Sequence, residues 1–307
     1  MIVNSSENSD GSVDWGVGNL SNADLLVWLI YLAISAIGLP GNFIVILCFL
    51  FSPKLKKWKK KSKTSVFIVT LGFCDFLTCL NVLAFYVLGG FVKTLSNNVI
   101  FCKVFGSMYF YQALASTTSW QIVAVAIERY LAICHPLYHR NKLSHLKLCM
   151  LIGLSFFMGF CTSLTHNLVL FNVDENGECK TSYFQQTAEF RKFQSGVFAV
   201  IYAIIPTFII LPLYLRIVRD LKKKGKQVSK ATNSVLRTLV VVFIAFGVCN
   251  YPCGFFWMWD NWRDNLLDFS GGFWQFLMVL KASSACLNPI IYSFSIPEFR
   301  AALCGLA

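Results

Sequence analysis

Charged residues fall in clumps along this chain, and the stretches between the clumps are long and apolar. Seven runs carry at most one Lys, Arg, Asp or Glu each: residues 25–51, 64–92, 104–127, 148–170, 193–215, 238–259 and 269–296. Asp75 and Lys281 are the two ionisable residues inside them. A bilayer core is about 30 Å thick and a helix rises about 1.5 Å per residue, so each run can cross as a helix. Strands of a membrane barrel would need only about 9–11 alternating residues each. The pattern predicts an all-α membrane protein built as a seven-transmembrane-helix bundle. Residues 1–24 form a polar leading segment, 25–296 the bundle and 297–307 a short tail.

Composition agrees with the pattern. Of 307 residues, 56% are hydrophobic and 14% charged, with a mean hydropathy of +0.60. A soluble domain carries about 25% charged residues.

The loops set the orientation. Residues 53–63, "PKLKKWKKKSK", hold seven lysines, and 216–237 hold eight Lys or Arg. With Arg129, the three basic residues of 140–147 and Arg300 on the same side, 20 of the 27 basic residues share one face. Basic loops stay in the cytoplasm. The expectation is therefore a multi-pass plasma-membrane protein with its N-terminus extracellular. The net charge of +12 is then a topology signal rather than a sign of nucleic-acid binding. The leading segment lacks the basic-then-apolar pattern of a cleaved signal peptide, so the first helix is expected to serve as the insertion signal. Asn4 and Asn19 head N-glycosylation sequons on the exposed side. Of the 12 cysteines, only Cys102 and Cys179 lie in oxidising space, which predicts a disulfide between them. Cys304, beside the membrane, is a candidate for palmitoylation.

An adjacent acid and base, Glu128-Arg129, close the third run. From Cys102 to Arg129 is 27 residues, about 40 Å of helix, which places the pair at the inner membrane boundary. The stretch "ERYLAICHPLYH" (128–139) resembles the E/DRY motif and second intracellular loop of rhodopsin-like (class A) G-protein-coupled receptors. The resemblance continues helix by helix. It takes in Gly41-Asn42, Asp75 in "TLGFCDFL", Pro206 with Tyr214 eight residues later, Phe246 with "CNYP" (249–252), and "NPIIY" (288–292). After these, "SIPEFR" (295–300) is similar to the start of a short amphipathic eighth helix anchored by Phe299.

The resemblance implies a receptor that binds an extracellular ligand and activates a heterotrimeric G protein, with no enzymatic chemistry of its own. It implies that Glu128, Arg129, Tyr130, Leu137, Tyr214, Asn288, Pro289 and Tyr292 carry the switch and the coupling surface. At rest Arg129 would pair with Glu128; when the sixth helix swings out it would reach toward Tyr214 and Tyr292. Leu137 would insert into the G protein. It also implies a polar core of Asn42, Asp75, Thr118, Ser284 and Asn288, with Asp75 holding a sodium ion or a proton. Several positions depart from the family pattern. Asn250 replaces the tryptophan of CWxP, leaving Phe246 and Tyr251 as substitutes. Ala285 stands where a serine is common, and the fourth helix has neither tryptophan nor proline.

The ligand is less legible. No acid occurs between Cys102 and Glu128, and Tyr111 takes the place of the aspartate that amine receptors use, which excludes an amine. Lys281, the one charge in the seventh helix, admits three readings: a retinal Schiff base, an anion anchor, or an internal pair with a polar neighbour. Its register, eight residues before Pro289 rather than seven, speaks against retinal. Tyr111, Gln112, Tyr251, Phe255 and Lys281 form the expected ligand pocket, for a peptide or a lipid-like acidic small molecule. The aromatics Phe255, Phe256, Trp257 and Trp259 admit two readings, a pocket lining or an interfacial belt, of which the belt is preferred. Two alternatives stay open: an opsin-like photoreceptor with retinal on Lys281, and a seven-helix channel or transporter. Beyond the possible sodium ion, no metal site or cofactor is expected; the partners are the G protein, the ligand and membrane lipid.

Overall fold

The computed structural model describes residues 22–52, 63–87, 102, 108–167, 171–173, 179–181, 183–224, 230–264, 267 and 271–303. The first apolar run forms α1 (Asn22–Phe51). The second forms α2 (Thr64–Val82), which loosens into a π-turn at Leu83–Val87. The third forms α3 (Tyr109–Cys134), entered through Met108 at φ 55. A short α4 (Pro136–Lys142) has its proline in the first turn, where the missing N–H costs nothing. The fourth run is α5 (His145–Asn167). The fifth is one rod in three parts: α6 (Ala188–Ala199), a π-turn at Val200–Ile204, and α7 (Ile205–Lys224). The sixth and seventh are α8 (Lys230–Trp262) and α9 (Gly272–Ser295), and α10 (Pro297–Leu303) follows.

Two three-residue strands add to the expected all-helical architecture. β1 (Phe171–Val173) pairs antiparallel with β2 (Cys179–Thr181) in the loop after α5. Six of the described spans are long and apolar enough to cross a membrane, and α3 falls outside them. The reason is its composition, since it buries Gln112, Ser116, Thr117, Thr118, Ser119, Gln121, Glu128 and Arg129. A helix that is polar and buried belongs in the middle of the bundle, shielded from lipid. There α3 packs against α2, α5 and α7. Large apolar side chains instead point outward from the peripheral helices, as Phe51, Phe208 and Phe294 do.

The tightest helix crossing is between α3 and α5. A Cβ placed on Gly159 would come within 2.4 Å of the Thr117 backbone nitrogen, so only glycine allows that approach. Prolines create a second local feature. Pro206 has no N–H for the carbonyl of Tyr202, and Ser119 Oγ donates to that carbonyl instead, at 2.9 Å. Pro289 likewise frees the carbonyl of Ala285, which accepts from Asn42 Nδ2 at 2.8 Å. Gly41 lets the Pro289 ring approach, since a Cβ there would sit 3.1 Å from Pro289 Cγ. At these two prolines a side chain from a neighbouring helix fills the gap.

Candidate functional site: two buried cations

At the end of the bundle that carries the basic loops, Arg129 grips Glu128 with both arms of its fork. Nε donates at 2.6 Å and Nη2 at 2.7 Å to the two carboxylate oxygens. Such bidentate geometry is among the strongest a protein can make. Glu128 is fully buried, so its remaining lone pairs need partners. Thr64 Oγ1 of α2 donates at 3.1 Å, and His139 Nε2 of α4 lies at 2.8 Å. Lys63 Nζ fixes the loop by donating to the carbonyls of His139 and Leu143. Three elements therefore close on one carboxylate. Arg129 makes no hydrogen bond to the tyrosines expected to receive it, among the described residues. Tyr214 and Tyr292 are buried, and their hydroxyls have no hydrogen-bond partner among the described residues. Tyr130 turns outward to His135, 3.1 Å from hydroxyl to Nε2. Leu137 is 68% exposed on α4.

In the centre, Asn288 Nδ2 donates to Asp75 Oδ2 at 2.6 Å, the one hydrogen bond to Asp75 among the described residues. The rest of the expected polar core makes no hydrogen bond to Asp75 among the described residues. Asn42 serves the proline gap in α9, Ser284 Oγ donates to the Lys281 carbonyl at 2.8 Å, and Thr118 is buried without a bond to Asp75. Carboxylate, amide and hydroxyl oxygens are hard donors of the kind that could hold a sodium ion.

Toward the other end, Lys281 is 6% exposed. Its Nζ donates to Gln112 Oε1 and lies 5.0 Å from the centroid of the Tyr111 ring. Gln112 is steadied by donating from Nε2 to Ser116 Oγ at 3.4 Å. Of the expected pocket, Lys281, Gln112 and Tyr111 come together. Tyr251 and Phe255 belong to a separate aromatic cluster with Tyr202 and Phe246. Asn250, in the place of the absent tryptophan, accepts from the Tyr202 hydroxyl at 3.1 Å and donates to the Phe246 carbonyl at 3.1 Å. The belt reading is corrected at Trp257, which is buried edge-on against Phe198, whereas Trp259 is exposed. Cys102 is buried and disulfide-bonded. Asn4, Asn19 and Cys304 lie outside the described residues, as does the side chain of Cys179.

Residues 41–292 match the family described as 7 transmembrane receptor (rhodopsin family). The chain belongs to this family. The receptor is 26% identical to the substance-P receptor of Aquarana catesbeiana, over 90% of this chain and 69% of that protein. It is 26% identical to somatostatin receptor type 5 of Rattus norvegicus, over 97% and 83%. With neuropeptide Y receptor type 6 of Mus musculus it shares 25% identity, over 91% and 79%. It is a multi-pass membrane protein, and its family consists of receptors rather than enzymes. Sequence reasoning missed Thr64, His139 and Lys63 as parts of the Glu128 latch. His139 lies within the quoted motif, but its contact depends on how α4 folds back. Thr64 and Lys63 come from another helix and carry no sequence signal of the contact.

Proposed function

We propose that this receptor binds an extracellular peptide at the Lys281 end of its bundle and activates a heterotrimeric G protein at the Arg129 end. The observation that carries the reading is the closed latch facing two vacant acceptors. Arg129 is clamped on Glu128, while the buried hydroxyls of Tyr214 and Tyr292 have no hydrogen-bond partner among the described residues. Buried polar groups are nearly always satisfied, so these tyrosines point to a second arrangement in which the guanidinium reaches them. An Arg keeps its charge and can exchange one set of acceptors for another. Opening would expose a basic cleft flanked by Leu137 and by Lys222 and Lys223.

The peptide assignment rests on the relatives, which are receptors named for substance P, somatostatin and neuropeptide Y. The N-terminus faces outward in the plasma membrane, with glycans on Asn4 and Asn19. A Cys102–Cys179 disulfide ties the chain ahead of α3 to β2, and a lipid on Cys304 holds the tail to the membrane. Asp75, with Asn288, Ser284 and Thr118, takes a sodium ion or a proton.

The test is guanine-nucleotide exchange by the purified receptor in lipid nanodiscs with each class of Gα. Glu128→Gln is expected to raise ligand-free exchange on at least one class, and Arg129→Ala to remove it. If neither the natural receptor nor Glu128→Gln accelerates exchange on any Gα, the reading fails.

A further inference from the structure

Lys281 is the anomaly of the bundle. An ammonium has three donors and a full charge, and here it meets one neutral amide oxygen and one ring face. No carboxylate of the described residues lies within ion-pair distance of it. Asp75, the other acid inside the spans, is engaged by Asn288. Burying an uncompensated cation is costly, and a methionine would fill the same space without that cost. The neighbourhood nevertheless holds the charge in one place. Ser116 steadies Gln112, Gln112 receives the ammonium, and the Tyr111 ring faces it from the same helix.

We infer that Lys281 is the anchor for a carboxylate on the activating ligand, with Gln112 and Tyr111 as its seat. This deepens the proposed function and rests on it for the word "activating". A single lysine, with no arginine beside it among the described residues, balances a monovalent carboxylate. A phosphate group, at about −1.5 to −2 charge near pH 7, carries more negative charge than one lysine balances. Lys281 lies nine residues into α9 from Gly272, about 14 Å along the helix, and Gln112 stands one turn into α3. The anion therefore enters the end of the bundle opposite the Glu128 latch. Once bound, it takes over the ammonium and leaves the Gln112 oxygen free, so the ligand's charge is read directly by α3.

The carboxylate could end a peptide or a fatty chain, and the experiment separates them. The full-length receptor in nanodiscs, labelled with 15N-lysine, is titrated with acetyl-Phe-Leu as free acid or amide, and with octanoate or octanamide. Concentrations run to about 10 mM, enough to saturate a site of ~1 mM Kd. The Lys281 signal is assigned by its loss in Lys281→Met. At least one acid is expected to shift that signal and raise Tm by about 3 °C. The matching amide does neither, Lys281→Arg keeps the Tm response and Lys281→Met loses it. A response to the peptide acid alone assigns a peptide C-terminus or acidic side chain; a response to octanoate alone assigns a fatty acid. If neither acid moves the signal, or the Tm response survives in Lys281→Met, the inference is overturned. Binding is read here without a G protein, and coupling is read through Glu128→Gln without any carboxylate. The two proposals therefore fail separately.

Discussion

Arg129 and Lys281 are 8% and 6% exposed, at opposite ends of the same bundle, and their surroundings differ in kind. Arg129 has its counter-ion as the preceding residue, and that carboxylate is itself held by α2 and α4. Among the described residues, Lys281 has only dipoles and a ring. A charge supplied with its partner is a closed device that something must open. A charge left without one is a receptor for whatever brings the missing sign. Equal burial therefore says little about role until the partner is named.

The contrast can be broken by removing each charge in turn. The largest effect is expected at the latch. Glu128→Gln leaves Arg129 buried without a counter-ion, a loss of about 3–5 kcal/mol in comparable pairs. A fall in Tm, together with roughly tenfold faster ligand-free nucleotide exchange, is the expected result. Lys281→Met should move stability the other way, because a buried lone charge carries a desolvation cost that a methionine of similar size does not. Thermal melting of the ligand-free variant checks this; a Tm several degrees below the natural receptor would mean that Lys281 is a structural strut. A smaller shift is expected for His139→Ala, which removes one of the three side chains holding Glu128. A hydrogen bond to a charged group is worth about 1.5–3 kcal/mol, so exchange should rise severalfold while the bidentate pair survives. Smallest is Leu137→Ala. It should lower G-protein coupling a few-fold in the same exchange assay and leave both Tm and the carboxylate response of Lys281 unchanged.

How far the two ends could be read from sequence differs for the same physical reason. The latch was legible because Glu128 and Arg129 are neighbours in the chain, inside a motif whose order along the helices is specific. Its outer supports were not, because Thr64 sits 64 residues away and nothing local marks it. The seven apolar runs gave the bundle directly. They could not indicate that α3 is the polar one at its centre, since uncharged Ser, Thr and Gln read as neutral in a search for charge-free runs. At Lys281 the charge was legible and its partner was not: Gln112 is 169 positions away, and glutamine announces no contact. Tyr251 and Phe255, grouped with Lys281 by helix position, instead pack into the aromatic cluster around Tyr202. The hairpin of β1 and β2 escaped because strands of three residues leave no period to detect.

Where Pro206 and Pro289 interrupt their helices, the loosened carbonyls are stitched to α3 and α1 by Ser119 and Asn42. A crease in a rod ordinarily absorbs a push. Here each crease is sewn to the rod beside it, so flexing the seventh span tugs on the first, and flexing the fifth tugs on the third. Two creases in the backbone are in this way tied across the bundle.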